Sequence, residues 1–228
     1  MSQLFNVEKG MGLNLVMLYK NPGKMVRDIA EGRTMPYTNI FRMTIVILAL
    51  CTLALVGSGN YEAQQAVVGQ AIVADAESLE RQMRGQRFIK DYLNVLFLVL
   101  IPLMALGNYW ITRHRGLNYA EHLMVAAVQF VGSMLMSTVI QIAAYLLFGV
   151  SLGMAGFVFV LSFLYYAYVL WSVFPTMRWY GALWRSFVGY TIAFLLLIVV
   201  CMIGMAVFML GYATLFGKEA LETIFAAQ

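Results

Sequence analysis

Long apolar runs separated by short polar gaps dominate the chain after residue 40. Five of them, about 41–58, 91–112, 122–148, 154–174 and 186–214, reach the roughly 20 mostly apolar residues that a helix needs to cross a bilayer. They are continuous rather than alternating, so they do not match a membrane barrel, whose strands are about ten residues long with a period of two. Pro102 lies inside the second run, where its missing backbone donor predicts a kink about halfway across. The third and fifth runs exceed the minimum and must tilt or protrude.

Ahead of the first run, the stretch KNPGKMVRDIAEGRTMPYTNIFRM (20–43) carries a helix pattern of its own. Asn21 suits an N-cap, Pro22 the first helical position and Gly32 the C-terminal cap, while Met25, Val26 and Ile29 make an apolar face between them. Lys24, Arg27 and Arg33 flank that face and Pro36 ends the element, which predicts a short amphipathic helix in the membrane interface near anionic headgroups. The upstream stretch MGLNLVMLYK is expected beside it. One reading of this helix is topology control; the other is a docking surface for lipid or a partner protein. Between the first two runs, about 59–90, Ile72, Ala76, Leu79 and Met83 recur at helical spacing, which predicts a helical outside loop. The predicted organisation is thus a segment 1–40 at the cytoplasmic interface and a five-helix bundle 41–228 that includes the loop.

Composition agrees with this pattern. Hydrophobic residues make up 62% of the chain and charged ones 11%, against about 45–50% and 25% in soluble domains, and the mean hydropathy is +0.78. The expected class is an all-α integral membrane protein without a separate soluble domain. The formal charge of +4 comes from short basic clusters between apolar blocks, so membrane lipids, not nucleic acid, are the expected partners. If the spans alternate, Lys9, Lys20, Lys24, Arg27, Arg33, Arg42, Arg113, Arg115, Arg178 and Arg185 fall on one side. Arg81, Arg84, Arg87, Lys90 and Lys218 fall on the other. The basic excess predicts a cytoplasmic N-terminus and an outside C-terminus. Trp110, Trp171, Trp179 and Trp184 all fall at cytoplasmic span ends in this arrangement, where amphipathic rings settle among headgroups. The N-terminal forty residues lack the ordered parts of a cleaved signal peptide, and the first span is expected to direct insertion.

Candidate chemistry is sparse. No span carries Lys, Arg, Asp or Glu near its centre, which argues against ion-coupled transport. Gln129, Ser133, Ser137 and Gln141 form a polar row on span 3, drifting about 40° per step around the helix. Interhelical hydrogen bonding is its first reading and a substrate path its second. Glu121 and His122 sit side by side at the mouth of the same span, about 100° apart on the helix, so they cannot act as an i, i+4 metal pair. An ion pair with Arg113, Arg115 or Arg178 is their default reading; headgroup binding or acid–base work by His122 is the alternative. Cys51 and Cys201 lie in apolar runs without ligand spacing. Enzyme motifs are absent, and GVSLG (149–153) is expected to be a hairpin turn rather than a nucleophile elbow. No catalytic residue, metal or cofactor is expected.

Three segments, NPGKMVRDIAEGRTMPYTNIFR, NYAEHLMVAAVQF and MRWYGALWRSFVGY, together resemble the bacterial membrane proteins grouped as domain of unknown function 3667. The shared features are the Pro, the Arg, the Gly-Arg pair and the aromatic-Arg lead-in to span 1, then Arg178, Tyr180, Gly181 and Trp184. Many members carry an N-terminal cysteine pattern similar to a zinc ribbon. No cysteine precedes the first span here, so the resemblance implies no zinc site in this chain. It implies a bacterial inner-membrane location and an architecture, and no activity. The leading expectation is a non-catalytic accessory or scaffold subunit that binds membrane partners or itself; the rival is a small permease or lipid-handling protein using the span 3 row.

Overall fold

The computed structural model describes residues 2–34, 37–58, 95–149 and 152–216, and among these there are helices and short connections but no strand. Two N-terminal helices, α1 (Ser2–Lys20) and α2 (Pro22–Ala30), precede α3 (Ile40–Gly57) and α4 (Val95–Arg115), whose last turn tightens to a 3-10 helix at Arg113–Arg115. Then follow α5 (Tyr119–Phe148), α6 (Leu152–Val173) and α7 (Trp179–Phe216). Helices α3 to α7 contain five segments long and apolar enough to cross a membrane. Helix α4 continues through Pro102. The predicted loop 59–90 lies outside the described residues.

Capping chemistry sets several boundaries. Asn39 starts α3 by accepting from the backbone N–H of Phe41 and Arg42 at 2.9 and 3.3 Å. Helix α5 begins at Tyr119, ahead of the apolar run that starts near 122, because Asn118 and Glu121 close a capping box with bonds of 2.9 and 2.7 Å. Helix α7 begins at Trp179, well before the expected 186, so the aromatic and basic stretch up to Arg185 forms its first turns instead of a connection. At 38 residues α7 is about 57 Å long at 1.5 Å per residue, more than the roughly 45 Å of a bilayer with headgroups. It must tilt or project, as expected for span 5.

Helix α5 is the axis of the bundle, packing against α3 and α6 and meeting both N-terminal helices. In its most apolar stretch 56% of the residues are buried, whereas in that of α7 only 6% are. Helix α7 touches the bundle through small residues: Ala182, Ser186 and Ala193 are buried. A Cβ on Gly107 of α4 would stand 2.8 Å from the Gly189 carbonyl oxygen, so these two backbones approach closely enough to require glycine.

Candidate functional site

The N-terminal hairpin and α6 satisfy each other's helix ends. The last carbonyls of any helix lack intrahelical donors. Tyr165 of α6 donates its hydroxyl to the Leu18 carbonyl at 3.0 Å, and Tyr168 donates to Tyr19 and Lys20 carbonyls at 3.2 Å each. In return Arg27 of α2 donates Nη1 to the carbonyls of Ser172 and Val173, the end of α6, at 2.7 and 2.9 Å. The Gly23 N–H donates to Ser172 Oγ at 3.0 Å, and a Cβ at Gly23 would collide with the Ser172 backbone.

Local sequence prepares this clamp. Asn21 accepts from the Lys24 N–H at 3.0 Å as N-cap, Pro22 occupies the first turn, and Met25 and Val26 are fully buried. The helix closes with bonds from Gly32 N–H to the Ile29 carbonyl and from Arg33 N–H to the Asp28 carbonyl, 3.0 and 2.8 Å, a Schellman motif that uses the positive φ of Gly32, 80°. Tyr19 reaches across α5 to donate to the Gly132 carbonyl at 2.9 Å. Gly132 lies about 20 Å along α5 from its start, at 1.5 Å per residue, so the partly exposed Tyr19 ties the end of α1 to the side of the bundle well along its length.

Of the three basic residues grouped in the sequence, the structure places only Arg27 in this contact. Lys24 is exposed, and Arg33 pairs with Asp28 at 2.9 Å and with Glu31 while its side chain stays 62% exposed. Asp28 also accepts from the Tyr37 hydroxyl at 2.9 Å, tying the end of α2 to the segment before α3. Burial, then the bond to Asp28 and its negative charge, push the Tyr37 phenol above its ordinary range, with Arg33 acting in the opposite direction.

A second polar cluster lies in the bundle centre. Asn108 of α4 donates Nδ2 to Gln129 Oε1 at 2.9 Å and accepts from the Tyr166 hydroxyl at 2.6 Å. Gln129 donates Nε2 to the Tyr166 carbonyl at 3.2 Å, so α4, α5 and α6 are joined through three buried side chains. Gly189 of α7 sits over this knot; a Cβ there would stand 3.4 Å from Asn108 Oδ1.

One turn along α4, Thr112 Oγ1 lies 2.6 Å from the Asn108 carbonyl oxygen and 2.7 Å from His122 Nε2, and His122 Nδ1 lies 2.9 Å from the Asn118 carbonyl oxygen. A carbonyl only accepts, so Nδ1 carries a proton. In the neutral ring Nε2 then competes with the Asn108 carbonyl for the single Thr112 proton.

The predicted polar row divides. Gln129 joins the knot, whereas Ser133 and Ser137 donate to the Phe130 and Met134 carbonyls of their own helix at 3.0 and 2.9 Å. Gln141 is half-buried. Glu121 and His122 also separate: the carboxylate serves the α5 capping box and the imidazole serves Thr112 and Asn118. Arg178 donates to the Tyr180 hydroxyl at 2.6 Å and is not in their hydrogen-bond set. Among the described residues the ion pairs are those of Arg33, so the expected pairing of Glu121 with a nearby arginine gives way to the cap.

Sequence reading missed Asn108, Thr112 and Tyr166. Asn108 and Thr112 are four residues apart in an apolar span, a spacing that puts them on one helix face and could have marked them. Tyr166 is hidden in the aromatic stretch LYYAY. No protein-family profile, no curated protein and no solved structure matches this chain.

Proposed function

We propose that the chain is a non-catalytic accessory or scaffold subunit of the bacterial inner membrane, with its N-terminus cytoplasmic, and that it associates with a membrane partner or a second copy along α7. The observation that supports this best is the contrast within α7. Its first half seats small residues on the bundle, whereas every residue from Ile198 to Val207 is exposed. Lipid accepts such a surface, and so does another apolar helix. A Cβ on Gly204 would meet nothing within 4 Å, so the bare glycine leaves room for close backbone approach.

The closed knot of Asn108, Gln129 and Tyr166 favours this reading over a permease, because the polar groups that would line a path are bonded to one another. Ser133 and Ser137 are likewise engaged with their own helix. The resemblance to domain of unknown function 3667 is part of the same proposal and supplies architecture only.

The test is photo-cross-linking from Val199 and Ile203 in intact cells, with mild solubilisation and mass determination. A discrete protein or self adduct is expected at both positions. Lipid adducts alone, on a chain that purifies as a monomer, refute the proposal; loss of a solute uptake in Gln129→Leu with unchanged assembly would install the permease in its place. Impermeant labelling of a cysteine at Ser2 in cells, on a background without Cys51 and Cys201, reverses the orientation if it succeeds.

A further inference from the structure

At the end of the bundle that carries Arg113, Arg115, Arg178 and Arg185, a cavity of about 540 Å³ opens between α2, the turn after α4, the 173–176 connection and the start of α7. Arg27, Arg115 and Arg185 line it from three different elements, with His114 beside them and no carboxylate in the wall. All three arginines are half-buried. Like charges drawn together in a partly desolvated space repel one another, and the fold nevertheless fixes their positions. Arg27 is held by the Ser172 and Val173 carbonyls, and Arg115 donates Nη1 to Thr176 Oγ1 at 3.1 Å.

A guanidinium has five donors, so the bonds just named leave most of the donor capacity of Arg27 and Arg115 for a ligand. Planar forks match the oxygens of phosphate in bidentate fashion. The rest of the wall is largely apolar, through Ile111, Leu117, Val173 and Phe174. Trp171, Trp179 and Trp184 are exposed around the same end, the placement aromatic rings take at headgroup level.

We infer that this cavity binds a phosphate group, carried by a lipid headgroup or by a soluble phosphoester, through Arg27, Arg115 and Arg185. The inference stands apart from association along α7, and cross-links at Val199 and Ile203 do not depend on it.

The test uses the full chain and the variant Arg115→Gln/Arg185→Gln, which leaves the Arg27 clamp in place, with Arg178→Gln as a control outside the cavity wall. Retained phosphatidylglycerol is measured by native mass spectrometry after reconstitution in mixed phosphatidylcholine–phosphatidylglycerol nanodiscs. Separately, inorganic phosphate is titrated against thermal stability in phosphatidylcholine discs. Each guanidinium is expected to contribute about fivefold and the pair about 30-fold in affinity, with Arg178→Gln unchanged. Selective retention of phosphatidylglycerol identifies a headgroup, and a saturable shift with inorganic phosphate identifies a soluble ligand. If the double variant fails to insert, Arg185→Lys keeps the charge without the fork and should bind more weakly than the wild type, by less than the roughly fivefold that loss of the whole guanidinium costs. The inference is overturned if neither probe binds, if the cavity variants bind like the wild type, or if Arg178→Gln loses as much as they do.

Discussion

Gly23 offers the sharpest way to open the contact between the N-terminal hairpin and α6. In Gly23→Ala the new Cβ meets the Ser172 carbonyl, a backbone group that cannot rotate away, so α2 must move outward. That movement lengthens the Gly23–Ser172 bond of 3.0 Å and both Arg27 bonds, 2.7 and 2.9 Å. A neutral hydrogen bond contributes about 1 kcal/mol net and one to a charged donor about 1.5–3 kcal/mol. The three together set an upper limit of about 4–7 kcal/mol, and relaxation of the helix with rehydration of Arg27 should leave a loss of about 3 kcal/mol.

Arg27→Gln alone removes only the charged donor and should cost about 2 kcal/mol. Because the alanine already pulls Arg27 from its acceptors, the double variant should be less destabilised than the two losses added, with a coupling of about 1–2 kcal/mol. Reversible unfolding in mixed micelles gives the free energies, and amide exchange across residues 22–31 locates the change. A Gly23→Ala protein within about 0.5 kcal/mol of wild type, or strict additivity in the cycle, would refute the clamp.

Three further outcomes follow from the same contacts. Gln129→Leu should destabilise the bundle by about 1–2 kcal/mol without preventing insertion, and Asn108→Leu/Gln129→Leu should cost less than the sum because both unsatisfied partners disappear; thermal unfolding reads both. Tyr165→Phe removes the donor to Leu18 and should cost about 1 kcal/mol, seen as faster exchange in the last turn of α1. Tyr37 holds its proton more tightly in the folded chain, so its contribution is full below the ordinary phenol value of about 10 and is lost as pH rises through the raised one. The stability gap between wild type and Tyr37→Phe should therefore narrow at strongly alkaline pH, and a gap that stays constant would exclude the Tyr37–Asp28 bond as its source.

The spans were legible because apolar length is written directly in the residues, and the start of α5 moved where the Asn118 capping box overrode hydropathy, while α7 gained its extra first turns from the aromatic and basic residues 179–185. The helix at Pro22–Ala30 was equally legible, since Asn21, Pro22 and Gly32 act on the local backbone. What Arg27 binds was not, because its acceptors are main-chain carbonyls about 145 residues away and carry no side-chain signature. The knot was half visible. Gln129 stood out in a row of polar residues, but a serine can satisfy itself on its own helix whereas a glutamine this deep needs another one. Periodicity alone does not distinguish the two cases.

Arg27 belongs both to the clamp and to the cavity wall, and this joint role couples them. An anion that binds only while Arg27 is held against α6 favours the docked hairpin, and by reciprocity docking favours the anion by the same free energy. Gly23→Ala touches no residue of the cavity wall. If the coupling holds, it should nevertheless weaken binding of the phosphate-bearing ligand, by about fivefold if Arg27 alone is withdrawn. Saturating ligand should in turn slow amide exchange across residues 22–31 in the wild type, and do so less in Arg115→Gln/Arg185→Gln. Equal ligand affinity in wild type and Gly23→Ala would separate the two functions of Arg27 and show that the hairpin docks without regard to what the cavity holds.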